Sequence, residues 1–420
     1  MLPPHEDSFT DCIADQLKTG KYNGLKEISA LCKEIDESLP ISEAEDLASM
    51  IVGELNQSLF PAISHMELFL TYECVLKCDY CFTSLEPATT HQRNMSWETA
   101  RKAVDFLYNN SGEKQDLSLL FFGGEPLLKY DLIKKIVIYA GKKATNVGKR
   151  PEFNLTTNGI LLDQEKLNFF KEHKVKFLLS MDGNKAAHDR HRKLPSGEGS
   201  YDLIVEKIPL FKEYQPWLGV RMTISPDIVD YLSESFLELV ELGINQFLIS
   251  PAEGVEWPSS SIIGFYNQLE NCLNLYFRLT KEGKALKLAL WEEMKSEDFL
   301  SMRNKWGCRA GRQGLVVDAN GSICPCSKML FPDSLKSACQ LGSLDDGLDK
   351  IGLRMKLCDL VHQPRPGCVK CPYEIMCTGG CYGANFWANE DMFNPAGTYH
   401  CDFTHYAYEL YKKLRSTGVL

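Results

Sequence analysis

No stretch of this 420-residue chain reaches the roughly 20 consecutive apolar residues that a membrane-spanning helix needs. The opening residues, MLPPHEDSFTDCIADQ, lack a basic segment followed by an apolar one, so they do not read as a secretory signal. Basic charge is in short supply: 46 Lys and Arg stand against 56 Asp and Glu, a net charge of −10. That balance argues against a general nucleic-acid binder, which needs a basic surface. It suits solubility and is compatible with a basic peptide partner. Internal repeats and low-complexity segments are missing as well. The expectation is a cytoplasmic protein with no membrane and no nucleic-acid partner. Cysteine, by contrast, is abundant: sixteen residues, ten of them between Cys308 and Cys401. A reducing compartment disfavours so many disulfide sulfurs, which leaves metal ligation as the better explanation.

An apolar content of 44% supports a full core, and the length exceeds that of one ordinary domain. Residues 1–62 read as helical: KEISALCKEIDESL and SEAEDLASMIVGELNQSL carry apolar residues at helical spacing. Ser42 and Glu45 form a candidate capping box. This extension is expected to pack on the barrel that follows, or to dock a protein partner. Over 63–283, short apolar runs alternate with amphipathic stretches. The candidate strands are MELFLTY, LSLLFF, EFNLTT, KFLLSM, GVRMTI and NQFLIS. Six βα units in series predict an α/β fold, a partial (β/α)6 TIM barrel with its chemistry at the C-terminal strand ends. From 284 to 405, Gly, Pro and Cys accumulate, as in a small metal-stapled domain. Residues 406–420 read as a terminal helix.

Cys74, Cys78 and Cys81 stand in CVLKCDYCF, directly after the first strand. A [4Fe–4S] cube usually takes four cysteines, so three leave one iron open to another ligand; a zinc loop is the alternative. With Tyr80 before the third cysteine, the motif resembles that of the radical S-adenosylmethionine (SAM) superfamily. There the open iron chelates the amino and carboxylate groups of SAM. Further motifs sit at the other strand ends. FFGGEPLL brings Gly123, Gly124 and Glu125, a GGE run that the resemblance assigns to the SAM amino group. LTTNGILL brings Asn158. LLSMDGNKAAHDRHR brings Ser180 and Asp182 in an S-x-D-G…H-D-x-x-R phrase, like that of peptide-modifying members, whose serine contacts SAM. Arg221, on the fifth strand, corresponds to an arginine that pairs with the SAM carboxylate, and ISPAEG is expected to line the adenine pocket.

The second cysteine set is Cys368-x2-Cys371-x5-Cys377-x3-Cys381, preceded by Cys308-x12-Gly321-x4-Cys326 and closed by Cys401. It resembles the seven-cysteine pattern of the SPASM domain, which holds two auxiliary iron–sulfur clusters. The resemblance implies one cluster on Cys308, Cys326 and Cys381, and another on Cys368, Cys371, Cys377 and Cys401. The fourth ligand of the former is either Cys324 or open. For Cys324, cluster ligand, catalytic hydrogen-atom donor and buried bystander all stand. A pair of zinc sites is the alternative for the whole set. The remaining Cys12, Cys32, Cys272, Cys339 and Cys358 read as small buried hydrophobes.

Together the patterns imply an enzyme with three [4Fe–4S] clusters that cleaves SAM to a 5′-deoxyadenosyl radical and takes a hydrogen atom from a ribosomally made precursor peptide. An oxidative side-chain crosslink is the leading outcome, and a flavodoxin or ferredoxin the expected reductant. Peptide epimerases and anaerobic sulfatase-type maturases are alternatives. The latter carry an aspartate after the second SPASM cysteine, where this chain has Ser327. A non-catalytic iron–sulfur or zinc scaffold is the reading from a different class.

Overall fold

The computed structural model of the protein describes residues 24–84, 93–295, 310–358, 368–373, 377, 379–395, 397 and 399–418, with Ile13 and Gln16. Its centre is a run of parallel strands: β1 His65–Thr71, β2 Asp116–Gly123, β3 Arg150–Thr157, β4 Val175–Ser180, β5 Gly219–Ile224 and β6 Gln246–Pro251. Each lies within two residues of a strand expected from its apolar run. Before and between them come α1 Leu25–Ile35, α2 Ile41–Ser58, α3 Trp97–Asn109, α4 Tyr130–Val147, α5 Gln164–His173, α6 Lys185–His191, α7 Tyr201–Val205, α8 Ile208–Tyr214 and α9 Leu232–Glu241. After β6 follow α10 Ser259–Lys281 and α11 Ala289–Met294.

The strands alternate between two faces, as the pleat requires. On β2, Leu117, Leu119 and Phe121 are buried, whereas Leu120 and Phe122 are half-buried on the opposite face. On β5, Val220, Met222 and Ile224 are buried and Arg221 and Thr223 are half-buried. The buried set joins the apolar faces of the helices in one core. Real caps stop the helices from fraying: Ser96, Asp163 and Asn184 each accept a backbone N–H from the first turn that follows. Residues 201–214 form two helices rather than one, because Pro209 stands at the start of α8 and cannot donate inside a continuous helix. The expected capping box at Ser42 does not form. Pro40 is the N-cap of α2, with Ile41 as its first residue and no side-chain cap.

The sheet continues past the sixth strand on both sides. β7 Lys287–Leu288 adds to β6, and β8 Gly314–Val317 runs parallel to β1 on its free edge. Strands β9 Ser322–Cys324 and β10 Gly342–Ser343 follow antiparallel, giving the order β10-β9-β8-β1-β2-β3-β4-β5-β6-β7, open at both ends. The cysteine-rich segment therefore shares the main sheet and core through Leu315, Val316, Val317 and Ile323. Runs as short as GLVV and SIC have too little apolar surface to form a core alone, so they borrow one. Beyond them lie α12 Asp333–Cys339, α13 Ile351–Leu357, α14 Tyr382–Asn389 and α15 Tyr399–Ser416.

The N-terminal pair docks elsewhere than the barrel. Ile28, Leu31, Ala48, Ile51 and Leu55 build a second core with Ile351 and Met355 of α13. Arg354 stacks 4.3 Å over the Phe60 ring and donates to Asn56 Oδ1 at 2.7 Å, tying the pair down. Ile51→Ala is expected to cost about 2–4 kcal/mol by removing a fully buried side chain from a small core. Denaturant midpoints and protease sensitivity of residues 24–60 are the readouts.

Candidate functional site

The three loop cysteines, the GGE run, Asn158, Ser180 and Asp182 lie at the C-terminal ends of β1 to β4, and Arg221 lies within β5. Segment 71–73, which leads from β1 into the cysteine loop, runs against the GGE stretch. Gly124 N donates to Thr71 O and Glu125 N to Glu73 O, both at 2.8 Å. A Cβ on Gly123 would stand 2.4 Å from Thr71 O, and one on Gly124 2.3 Å from Glu73 O. Only glycine allows so close an approach, and Gly123 also has φ +139. The glycines are thus explained by the backbone of the cysteine loop itself.

The Glu125 carboxylate is fully buried and turned inward. It accepts bonds from Leu127 N at 3.1 Å, Thr157 Oγ1 at 2.8 Å and Asn158 N at 2.9 Å. Burial pushes its carboxyl up to about 7 against these bonds. Its side chain therefore clamps the ends of β2 and β3 together. Asn158, held by that clamp, points its Nδ2 at Cys74 Sγ, 3.8 Å away.

The cysteine loop is fixed from the opposite side. Cys78 pairs with Arg192 in a short antiparallel bridge. Arg192 is buried and grips Asp182 with two bonds, Nε to Oδ2 at 2.8 Å and Nη2 to Oδ1 at 2.9 Å. Tyr80 donates to the same carboxylate, Thr223 N adds a bond at 2.9 Å, and the Arg192 guanidinium sits 5.5 Å from the Tyr80 ring centre. Burial alone would raise the Asp182 carboxyl, yet Arg192 and these donors hold it below its ordinary value. His188 completes the motif as a buried, neutral support, with Nε2 3.0 Å from Ser200 Oγ. Asp182 and Tyr80, expected at the cofactor, spend their polar atoms on this clamp. Arg192 is the member that sequence reasoning passed over, although the H-D-x-x-R phrase contains it. Ser180 and Arg221 are register partners on β4 and β5. Arg221 makes no ion pair with any described residue.

The residues fit a thiolate-bound cluster at both places. On the loop, Cys74 is exposed and Cys78 and Cys81 are half-buried. Burial pushes the Cys78 thiol up to about 12, so a bound cation is what would make it a thiolate. In the second set, Cys368, Cys371, Cys377 and Cys401 line one pocket, with His405 Nε2 3.4 Å from Cys371 Sγ. Four soft sulfur donors around one space match iron–sulfur or zinc chemistry. Cys326 and Cys381 open adjoining turns as the N-caps of Ser327–Leu330 and α14. Cys308 lies outside the described residues, as does Cys12.

The sequence profile described as the radical SAM superfamily matches residues 68–242, which span the cysteine loop, the GGE clamp and the Asp182–Arg192 pair. That stretch is a radical SAM domain. The chain is an enzyme, and its similarity extends to maturases. The cysteine-type anaerobic sulfatase-maturating enzyme of Clostridium perfringens is 24% identical over 331 residues, 73% of this chain and 85% of that one. The structure titled Native anSMEcpe with bound AdoMet superimposes with a TM-score of 0.67 at 21% identity, covering 84% of this chain and 98% of the other. That of Streptococcus suis SuiB bound to precursor peptide SuiA gives 0.58 at 17%, covering 89% and 87%.

Within this radical SAM enzyme, Cys324 is fully buried in the main core and in contact with the Cys339 thiol. Of its three readings this geometry supports the buried one, since a hydrogen-atom donor needs access to substrate. Cys32, Cys272 and Cys339 are likewise buried; Cys358 is half-buried. Two carboxylates near Cys326 and Cys381 were not foreseen. Glu253, in the stretch expected to line the adenine pocket, pairs with Lys328. Glu67 on β1 accepts bonds from the backbone and side chain of Ser327, and burial pushes it up to about 7. A carboxyl raised from 4.5 to about 7 stabilises the fold while protonated, and that contribution fades as pH rises through this window. Relative to Glu67→Gln, the natural chain is therefore expected to lose stability across it; denaturation midpoints on either side check this.

Proposed function

We propose that this enzyme is a peptide maturase which removes a hydrogen atom from a ribosomally made peptide and completes an oxidative side-chain crosslink. The observation that supports the reading is the pocket lined by Cys368, Cys371, Cys377 and Cys401, four thiols separate from the loop at the strand ends. A second set of this kind suits a reaction that must dispose of an electron after hydrogen abstraction. When bound on Cys74, Cys78 and Cys81, a reduced [4Fe–4S] cluster would supply the electron that splits SAM into methionine and a 5′-deoxyadenosyl radical.

The protein's own contribution is placement. The Asp182–Arg192–Tyr80 clamp holds the loop, and Glu125 holds Asn158 against Cys74. Ser180 and Arg221 offer, on adjacent strands, a hydroxyl and a guanidinium that makes no ion pair among the described residues, suited to the polar end of SAM. A flavodoxin or ferredoxin is the proposed electron source. Two auxiliary clusters are proposed, one on the four-cysteine pocket and one on Cys308, Cys326 and Cys381. A peptide substrate agrees with the similarity in fold to the Streptococcus suis protein bound to its precursor peptide.

One observation favours a sulfatase-type maturase as the second reading. The Glu67 carboxylate meets Ser327, the residue after Cys326, so a proton acceptor stands beside that position although the side chain there is not acidic. An anaerobic metal count, with 5′-deoxyadenosine measured under reductant, tests the reading. Iron for three cubanes and SAM-derived 5′-deoxyadenosine are expected; zinc without SAM cleavage would restore the scaffold reading. A sulfatase-derived peptide offered in parallel separates the two maturases.

A further inference from the structure

Helices α2 and α4 each bury one side and show the other to solvent. On α2, Ala48, Ile51 and Leu55 face inward, while Asp46, Met50 and Glu54 are exposed on the opposite side. On α4, Ile133, Ala140 and Ala144 face inward, while Lys135, Ile138 and Lys142 are exposed. Residues spaced by three or four share a helical face. Each outer face therefore carries an apolar side chain between two charges, acidic on α2 and basic on α4. Met50 is 49% exposed and Ile138 42%, large apolar groups that gain by being covered. Lys134 and Lys143 are spent on Asp131 and Asp105, whereas Lys135 and Lys142 make no ion pair with any described residue. Asp46 and Glu54 make none either.

The two faces match in spacing as well as in sign. Along their helix axes Asp46 and Glu54 lie about 12 Å apart, and Lys135 and Lys142 about 10 Å. A glycine stands three residues beyond each apolar side chain, Gly53 after Met50 and Gly141 after Ile138. Glycine weakens a helix interior, and a Cβ at either place would meet open space, so packing within the chain does not call for it. It does let a facing helix come close. A basic peptide would engage the α2 face alone, whereas a second copy accounts for both faces. We propose that the α2 face of one copy docks on the α4 face of a second copy of this chain, acid against base around the two apolar side chains. The contact joins two different surfaces, so a two-fold dimer forms it twice. This goes beyond the maturase reading and does not depend on it, since neither face includes a residue of the strand-end site or of the four-cysteine pocket.

Sedimentation velocity of the anaerobically reconstituted full chain, over a range of concentrations, tests the contact. The natural chain is expected to self-associate, and added salt to weaken that association, because exposed charges are screened. Asp46→Lys with Glu54→Lys makes both faces basic, and Lys135→Glu with Lys142→Glu makes both acidic. Each double variant should self-associate about tenfold less tightly, since like charges then meet. An equimolar mixture of the two should associate as the natural chain does. Should a reversal fail to fold by circular dichroism, Met50→Gln and Ile138→Gln, which change no charge, should each weaken the association instead. A natural chain that stays monomeric overturns the proposal, whether or not a basic peptide binds it. So does a folded variant that self-associates as tightly as the natural chain, or a mixture of the two reversals that fails to associate.

Discussion

Arg192→Ala is expected to abolish SAM cleavage and to destabilise the fold by about 3–5 kcal/mol, the cost of stranding a buried carboxylate. Asp182 is fully buried, and Arg192 provides both of its charge-assisted bonds. Without the guanidinium, only the Tyr80 and Thr223 donors set themselves against burial, so Asp182 takes up a proton or draws in water. Either change frees Tyr80 and the bridge between Cys78 and residue 192, and with them the spacing of the three thiols. Arg192→Lys keeps a charge but not the two-pronged geometry, so it should retain the fold better than it retains cleavage. Denaturant unfolding and 5′-deoxyadenosine yield, measured side by side on the two variants, check the pair of effects.

Cys371→Ala is expected to do the reverse: SAM cleavage persists while peptide modification is lost. Cys371 shares its pocket with Cys368, Cys377 and Cys401, away from the loop that carries Cys74. Losing one of four ligands should remove about a third of the protein's iron and leave the strand-end site intact. The product should then be 5′-deoxyadenosine without a modified peptide. Loss of both activities in a folded Cys371→Ala would instead mean that the pocket is needed for cleavage itself.

The strand ends were legible in the sequence because each motif follows an apolar run that can only be a buried strand. The resemblance to the SPASM pattern grouped Cys368, Cys371, Cys377 and Cys401, which line one pocket although they lie up to 33 residues apart in the chain (Cys368 to Cys401). What each polar group binds was less legible. Glu125 and Asp182 were read as cofactor contacts, yet their oxygens are spent on backbone N–H groups, Thr157, Tyr80 and Arg192. Those bonds depend on how neighbouring strand ends come together, which no local pattern encodes. Position of the N-terminal helices was hidden for a similar reason: their apolar stripes fit any apolar partner, and the partner, α13, lies some 300 residues away.

The most direct test of the central claim is the mass of the peptide encoded beside the gene after anaerobic incubation with this protein, SAM and reductant. A peptide lighter by two hydrogens, formed together with 5′-deoxyadenosine, is the result expected of an oxidative maturase. A peptide of unchanged mass and unchanged chirality, with no 5′-deoxyadenosine released, would contradict it.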